Sequence, residues 1–233
     1  MIKRLSIVTA LSIALLSVLV PTSNAAPARH VTVKAQGSVK VVPDAVRITA
    51  TATSVAANSR AALAQTSAAA AAIRSAVLTA KIASRDIATQ SITVSPEYRY
   101  TNEGGATLTG YRGTQSFSIT VRAAATAGAI VDDIVAAGGD EVQINGVNPF
   151  VLDSSKSSEA ARNVAVKNAK ARALSYAKLL GVKLGKVQYL IEDSAPSAFA
   201  PIFTTAKVES DATIVDLGEQ DVTVSITVRW SLL

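Results

Sequence analysis

Between Val31 and Thr53 apolar and polar residues alternate: Val31, Val33 and Ala35 share one side, and Val46, Ile48, Ala50 and Ala52 stand against Arg47, Thr49, Thr51 and Thr53. A period of two with one apolar side predicts strands that each bury one face. Gly37 and Pro43-Asp44 punctuate them, and Pro43 suits a strand entrance rather than its middle. The period then changes. Asn58 or Ser59 can cap a helix running to about Ala83, in which Leu63, Ala70, Ile73 and Val77 recur at helical spacing. Alanine dominates this stretch, yet its larger residues fall on one face, the mark of a packed helix rather than a low-complexity tract.

Strand periodicity returns from Asp86 to Arg122. Ile92 and Val94 lead to Tyr98 and Tyr100, a turn from Thr101 to Gly110 carries Gly104-Gly105, and Phe117, Ile119 and Val121 alternate with Ser116, Ser118 and Thr120. This is the pattern of a long hairpin. A short helix from Thr126 to Ala137 closes at Gly138-Gly139. A strand spans Val142 to Val151. Asp153 or Ser155 then caps the longest amphipathic helix, with Ala161, Val164, Ala165, Asn168, Arg172, Leu179 and Leu180 ahead of Gly181. Val187 to Glu192 reads as a strand, residues 194–212 with Pro196 and Pro201 as an exposed loop, and Val222, Val224, Ile226, Val228 and Trp230 as one face of a last strand. Strands with one buried face interleaved with helices specify an α+β fold: a mainly antiparallel sheet with helices packed on one face. The uncovered face is rich in Thr and Ser, and strand edges invite self-association.

The beginning of the chain adds a compartment. Met1-Ile2-Lys3-Arg4, the apolar run Leu5 to Val20 and Pro21-Thr22-Ser23-Asn24-Ala25 have the charged start, apolar middle and small-residue exit of a secretory signal peptide. Cleavage falls after Ala25 or after Ala28. Interrupted by Ser6, Thr9, Ser12 and Ser17, the run is shorter than the roughly 20 apolar residues that span a bilayer. Residues 26–233 then form a single exported domain. Removing Lys3 and Arg4 lowers the net charge from +6 to about +4. Basic residues are scattered and aromatics are only 4%, which argues against nucleic-acid binding. With no cysteine, disulfides, thiolate zinc sites, iron–sulfur clusters and cysteine nucleophiles are excluded.

Candidate chemistry is sparse. His30, the one histidine, lies beside the cleavage site and supports neither a metal cluster nor a catalytic triad. The adjacent acids Asp132-Asp133, Asp140-Glu141 and Glu192-Asp193 point their side chains apart rather than toward one substrate atom. Gly104-Gly105 lacks the spacing of a phosphate-binding loop and is followed by a strand. No Gly-x-Ser-x-Gly elbow, penicillin-recognising serine motif or calcium loop is present. The reading is of no catalytic, cofactor-binding or metal-binding residue.

Several segments, in order, resemble the SIMPL-domain family of exported bacterial proteins. They are Val31-Thr32-Val33-Lys34-Ala35-Gln36-Gly37, Val42-Pro43-Asp44-Ala45, Asp86-Ile87-Ala88-Thr89-Gln90 with Ile92, Pro96-Glu97-Tyr98-Arg99-Tyr100, Gly110-Tyr111, Ala165 to Ala173, and Leu180-Gly181 to Leu184-Gly185-Lys186-Val187. The family tends to carry Asp at the place of Asn168, Lys at that of Arg172 and often Gly at that of Gln36, so a salt bridge in this helix is not carried over. The resemblance implies an exported, non-enzymatic periplasmic or cell-envelope protein without cofactor, tied in some relatives to oxidative-stress tolerance and in some to closed, channel-like homo-oligomers.

The leading expectation is accordingly a self-assembling homo-oligomer with a structural or stress-protective role in the envelope or at a membrane surface. Tyr98, Tyr100 and Tyr111 form its candidate interface, since tyrosine offers a large contact area with a polar tip. The same tyrosines could instead pack on the domain's own helices. The alternative is a soluble periplasmic or secreted binding module for a small molecule or peptide, with residues 194–212 as a lid. A third reading is a hydrolase using Asp140 or Glu141.

Overall fold

The computed structural model describes residues 29–100, 104–193, 197–198 and 213–233. The expected leader, residues 1–25, lies outside them, as does most of the expected 194–212 loop. The α+β class holds, and the strands divide between two antiparallel sheets of four, each with helices on one face.

The first sheet joins the two ends of the chain. β1 (His30–Val41) pairs along its whole length with β8 (Gln220–Leu232), from His30 opposite Ser231 to Val41 opposite Gln220, and β6 (Leu184–Glu192) flanks β8 on the other side. A two-residue strand, β7 (Ser197–Ala198), also pairs with β8, so the segment expected to be loop contributes a short element. The alternation read in the sequence decides the faces: Val33 and Ala35 with Val224, Ile226, Val228 and Trp230 are buried under α3 (Ser155–Leu179).

The second sheet, in the order β3-β4-β2-β5, comprises β2 (Ala45–Ala56), β3 (Ile87–Tyr100), β4 (Ala106–Val121) and β5 (Val142–Phe150). Its core places Val46, Ile48, Ala50 and Ala52 of β2 and Phe117, Ile119 and Val121 of β4 under α1 (Ser59–Thr79) and α2 (Ala127–Gly138). The opposite face carries Thr49, Thr51 and Thr53 beside Ser118, Ser116 and Thr114, as read. Thr51 Oγ1 donates to Asn145 Oδ1 at 2.6 Å and lies 3.1 Å from Ser116 Oγ. By length and composition α1 is apolar enough to cross a membrane. Here Ala62, Thr66, Ala70, Ile73 and Val77 pack it on the sheet.

Helix boundaries follow local chemistry. Asn58, rather than Ser59, caps α1, its side-chain oxygen accepting the Ala61 N–H at 2.9 Å. α1 stops at Thr79, short of Ala83, because Lys81 takes a left-handed conformation (φ 66°), with Lys81 N–H donating to Leu78 O and Ile82 N–H to Val77 O. Gly181 ends α3 with the same pair of bonds, to Lys178 O and, from Val182, to Ala177 O. At the start of α3, Asp153 accepts the Ser155 N–H at 2.9 Å.

Two expected core positions move outward. Leu63 is exposed, because the buried stripe of α1 runs through Ala62 and Thr66 instead. In α3 the buried stripe is Ala161, Ala165, Ala169, Ala173 and Ala177, while Leu179 and Leu180 are exposed. The cause is Gly37: a Cβ there would sit 3.0 Å from Ala165 Cα and nearer still to Ala161 O and Ala165 N. Helix backbone thus lies on strand backbone, leaving room for methyl groups only. Asn168 Nδ2 donates to Gln36 O at 2.9 Å and Arg172 Nη1 to Lys34 O at 2.6 Å, covering carbonyls of the outer strand β1.

Candidate functional site

The β3–β4 hairpin is the least covered part of the second sheet. Its base is clamped: Asp86 accepts Arg122 Nε at 2.9 Å and Nη2 at 2.7 Å, and its side chain is buried. These bonds hold the Asp86 carboxyl below its ordinary value; burial opposes the shift, and the charges of Arg122 and then Arg85 add to it. Further out, Arg112 Nη2 donates to Glu97 Oε1 at 2.6 Å.

Two bulges set the faces. Between Glu97 and Tyr98 the register slips by one, leaving Thr109 as the extra residue of β4, with its hydroxyl donating to Glu97 O. Pro96 therefore stands opposite Tyr111, Tyr98 opposite Leu108 and Tyr100 opposite Ala106, all on one face. The same face continues through Val94 opposite Gly113 to Ile92 opposite Gln115. At Gly113 it meets α1, since a Cβ there would strike Thr66 Oγ1 and Ala62 O. α1 begins only at Ser59, so the face runs on past the helix that covers it.

The structure thus brings the three expected residues to one face. Tyr98 is 46% and Tyr100 78% exposed, and Tyr111 is half-buried. Ile92, Val94 and Leu108 join them as exposed apolar side chains. The first two share the period of Tyr98 and Tyr100 and were legible in the sequence. Leu108 was not, because its odd spacing from Tyr111 makes sense only with the bulge.

The acidic pairs diverge. Asp132 accepts from Thr213 N and Oγ1, whereas Asp133 borders a groove of small residues between α1 and α2. Glu192 accepts Arg162 Nε at 2.8 Å and Nη2 at 3.1 Å, and Asp193 accepts Thr227 Oγ1 at 2.7 Å. Hydrogen bonds from Arg162 hold the Glu192 carboxyl below its ordinary value, against the effect of burial. Asp140 and Glu141 are exposed on the single turn Gly139–Glu141 and border an open polar groove with Thr51, Thr53, Arg112, Thr114 and Gln143. A second open groove of about 540 Å³ runs along β1 between Lys34, Gln36, Arg172, Asp193 and Ser225. Among the described residues no group of three or more His, Cys, Asp or Glu side chains is arranged to hold a metal ion.

Two helix-backed antiparallel sheets, with acids spent on local ties and a hairpin projecting beyond its helix, define an α+β scaffold whose distinctive surface is a strand face. The SIMPL family model, described as "Protein of unknown function (DUF541)", matches residues 31–230, and the chain belongs to that family. It is 30% identical over 219 residues to the 26 kDa periplasmic immunogenic protein of Brucella melitensis biotype 1, covering 88% of this chain and 85% of that one. The protein of the same name from Brucella abortus strain S19 matches with the same identity and coverage. Uncharacterized protein YggE of Edwardsiella ictaluri is 24% identical over 194 residues, 82% of this chain and 80% of its own.

Proposed function

We propose that this chain is an exported, non-enzymatic SIMPL protein of the periplasm or cell envelope that acts by assembling with copies of itself through the outer half of the β3–β4 hairpin. The observation that carries the reading is the face bearing Tyr98, Tyr100 and Leu108, exposed on an outer strand beyond the reach of α1. Proteins seldom leave such contiguous apolar and aromatic surface without a partner. Pro96 and the two bulges blunt the edge of β3 for indiscriminate strand addition, which favours contact through the face. The relatives named periplasmic and the signal-peptide pattern of residues 1–25 support export. The local engagement of Asp86, Asp132, Glu192 and Asp193 supports a role in shape rather than turnover.

Osmotic-shock fractionation followed by intact-mass measurement and sedimentation velocity tests both halves. The outcome expected is a chain beginning after Ala25 or Ala28, in the shock fluid or envelope fraction, sedimenting as a multimer. A cytoplasmic full-length monomer would overturn the proposal. The groove along β1 is the one feature favouring a binding module, and stabilisation of the purified chain by an anionic small molecule or peptide in a thermal-shift screen, lost in Arg172→Ala, would favour that reading instead.

A further inference from the structure

The described residues contain neither cysteine nor methionine, Met1 being the chain's one sulfur-bearing residue. Thiols and thioethers are readily consumed by oxidants, so here the burden shifts to aromatic side chains. Trp230 is 5% exposed beneath α3. The Arg229 guanidinium lies 4.7 Å from the centroid of the Tyr189 ring, where its positive charge opposes removal of an electron from that ring. Tyr98 and Tyr100 have neither protection. They stand two residues apart on the exposed face of an outer strand, with Tyr111 on the same face.

We propose that the Tyr98–Tyr100 face is an oxidative cross-linking site, at which a one-electron oxidant of the peroxidase–peroxide class joins two copies of the chain through a dityrosine bond. The inference rests on the face-to-face association proposed above, which brings tyrosines of two copies together. Each of two phenols gives up one electron and its hydroxyl proton. The two phenoxyl radicals couple through ring carbons ortho to oxygen, forming one C–C bond, and the hydrogens on those carbons pass to the oxygens to restore both phenols. The pair loses two electrons and two protons in all, and one hydrogen peroxide takes up both and leaves as two waters. The new bond survives denaturants and reductants, so a weak association becomes permanent without any disulfide.

The test treats an equimolar mixture of normal and isotopically heavy full-length chains with peroxidase and hydrogen peroxide, then reads dityrosine fluorescence, denaturing gels and tryptic peptide masses. Cleavage after Arg99 separates Tyr98 from Tyr100. The expected product is a denaturant-resistant dimer containing heavy–light peptide pairs linked at Tyr98 or Tyr100, and lost in Tyr98→Phe/Tyr100→Phe. Tyr176, 47% exposed on α3, is the internal control. Links centred on Tyr176, or dimers undiminished in the double variant, would overturn the inference. Light scattering on the unoxidised protein separates the two ideas: an assembly that yields no dityrosine removes this inference and leaves the association standing, whereas a monomer that yields none removes both.

Discussion

Replacing Gly37 by alanine puts a methyl carbon against the backbone of α3, 3.0 Å from Ala165 Cα and closer to Ala161 O and Ala165 N. Carbon atoms settle at about 3.5–4.0 Å, so α3 must withdraw by roughly 0.5–1 Å over β1. A gap of that size forfeits about a quarter to a half of each contact made by the alanine stripe. It also stretches the bonds from Asn168 and Arg172 to β1, now 2.9 and 2.6 Å. Overpacking costs about 1–3 kcal/mol where side chains can adjust, and backbone cannot, so we expect the upper end, ~3 kcal/mol. For a chain of this size that lowers the midpoint of thermal unfolding by roughly 6–12 °C. Circular dichroism melts of wild type, Gly37→Ala and the outward-facing control Gln36→Ala make the measurement. A Gly37→Ala midpoint matching the control's would refute backbone contact between α3 and β1.

Three further outcomes follow from single contacts. Asp86→Asn should destabilise the fold at neutral pH; because the folded carboxyl is held below its ordinary value near 3.8, the wild-type advantage is present above that value and shrinks as acid protonates the carboxyl, which urea titrations at several pH values will show. A constant difference down to strongly acidic pH would exclude the Arg122 clamp as its source. Lys81→Gly should stabilise by about 0.5–1 kcal/mol by relieving the left-handed conformation at the end of α1, and an unchanged or lower melting midpoint would contradict that geometry. Asn168→Ala should cost about 1 kcal/mol and expose the Gln36 carbonyl, measurable as faster amide exchange along β1; unaltered exchange would count against edge covering.

Alternation in β2 and β8 was legible because each strand keeps one strictly apolar side, from Val46 to Ala52 and from Val222 to Trp230. Gly138-Gly139 and Gly181 marked two helix ends for the same local reason. What escaped the sequence is non-local. Nothing within α3 says that its alanines rather than its leucines face inward; that follows from Gly37, more than a hundred residues away, which brings the backbones together. The end of α1 was hidden because a lysine takes the conformation that glycine normally signals. Division into two sheets depends on β1 finding β8, a pairing of the two ends that no local period encodes. Of the candidate site, the tyrosines were readable by type and spacing, whereas their common face with Leu108 depends on the extra residue Thr109.

Whether the hairpin face joins copies is decided most directly by light scattering during size-exclusion chromatography of the chain lacking residues 1–25, at micromolar concentration, beside Tyr98→Ser/Tyr100→Ser. Our account predicts a wild-type mass several times that of one chain, falling to one chain in a variant that melts as the wild type does. A monomeric wild type, or an assembly that the paired substitution leaves intact, would contradict it.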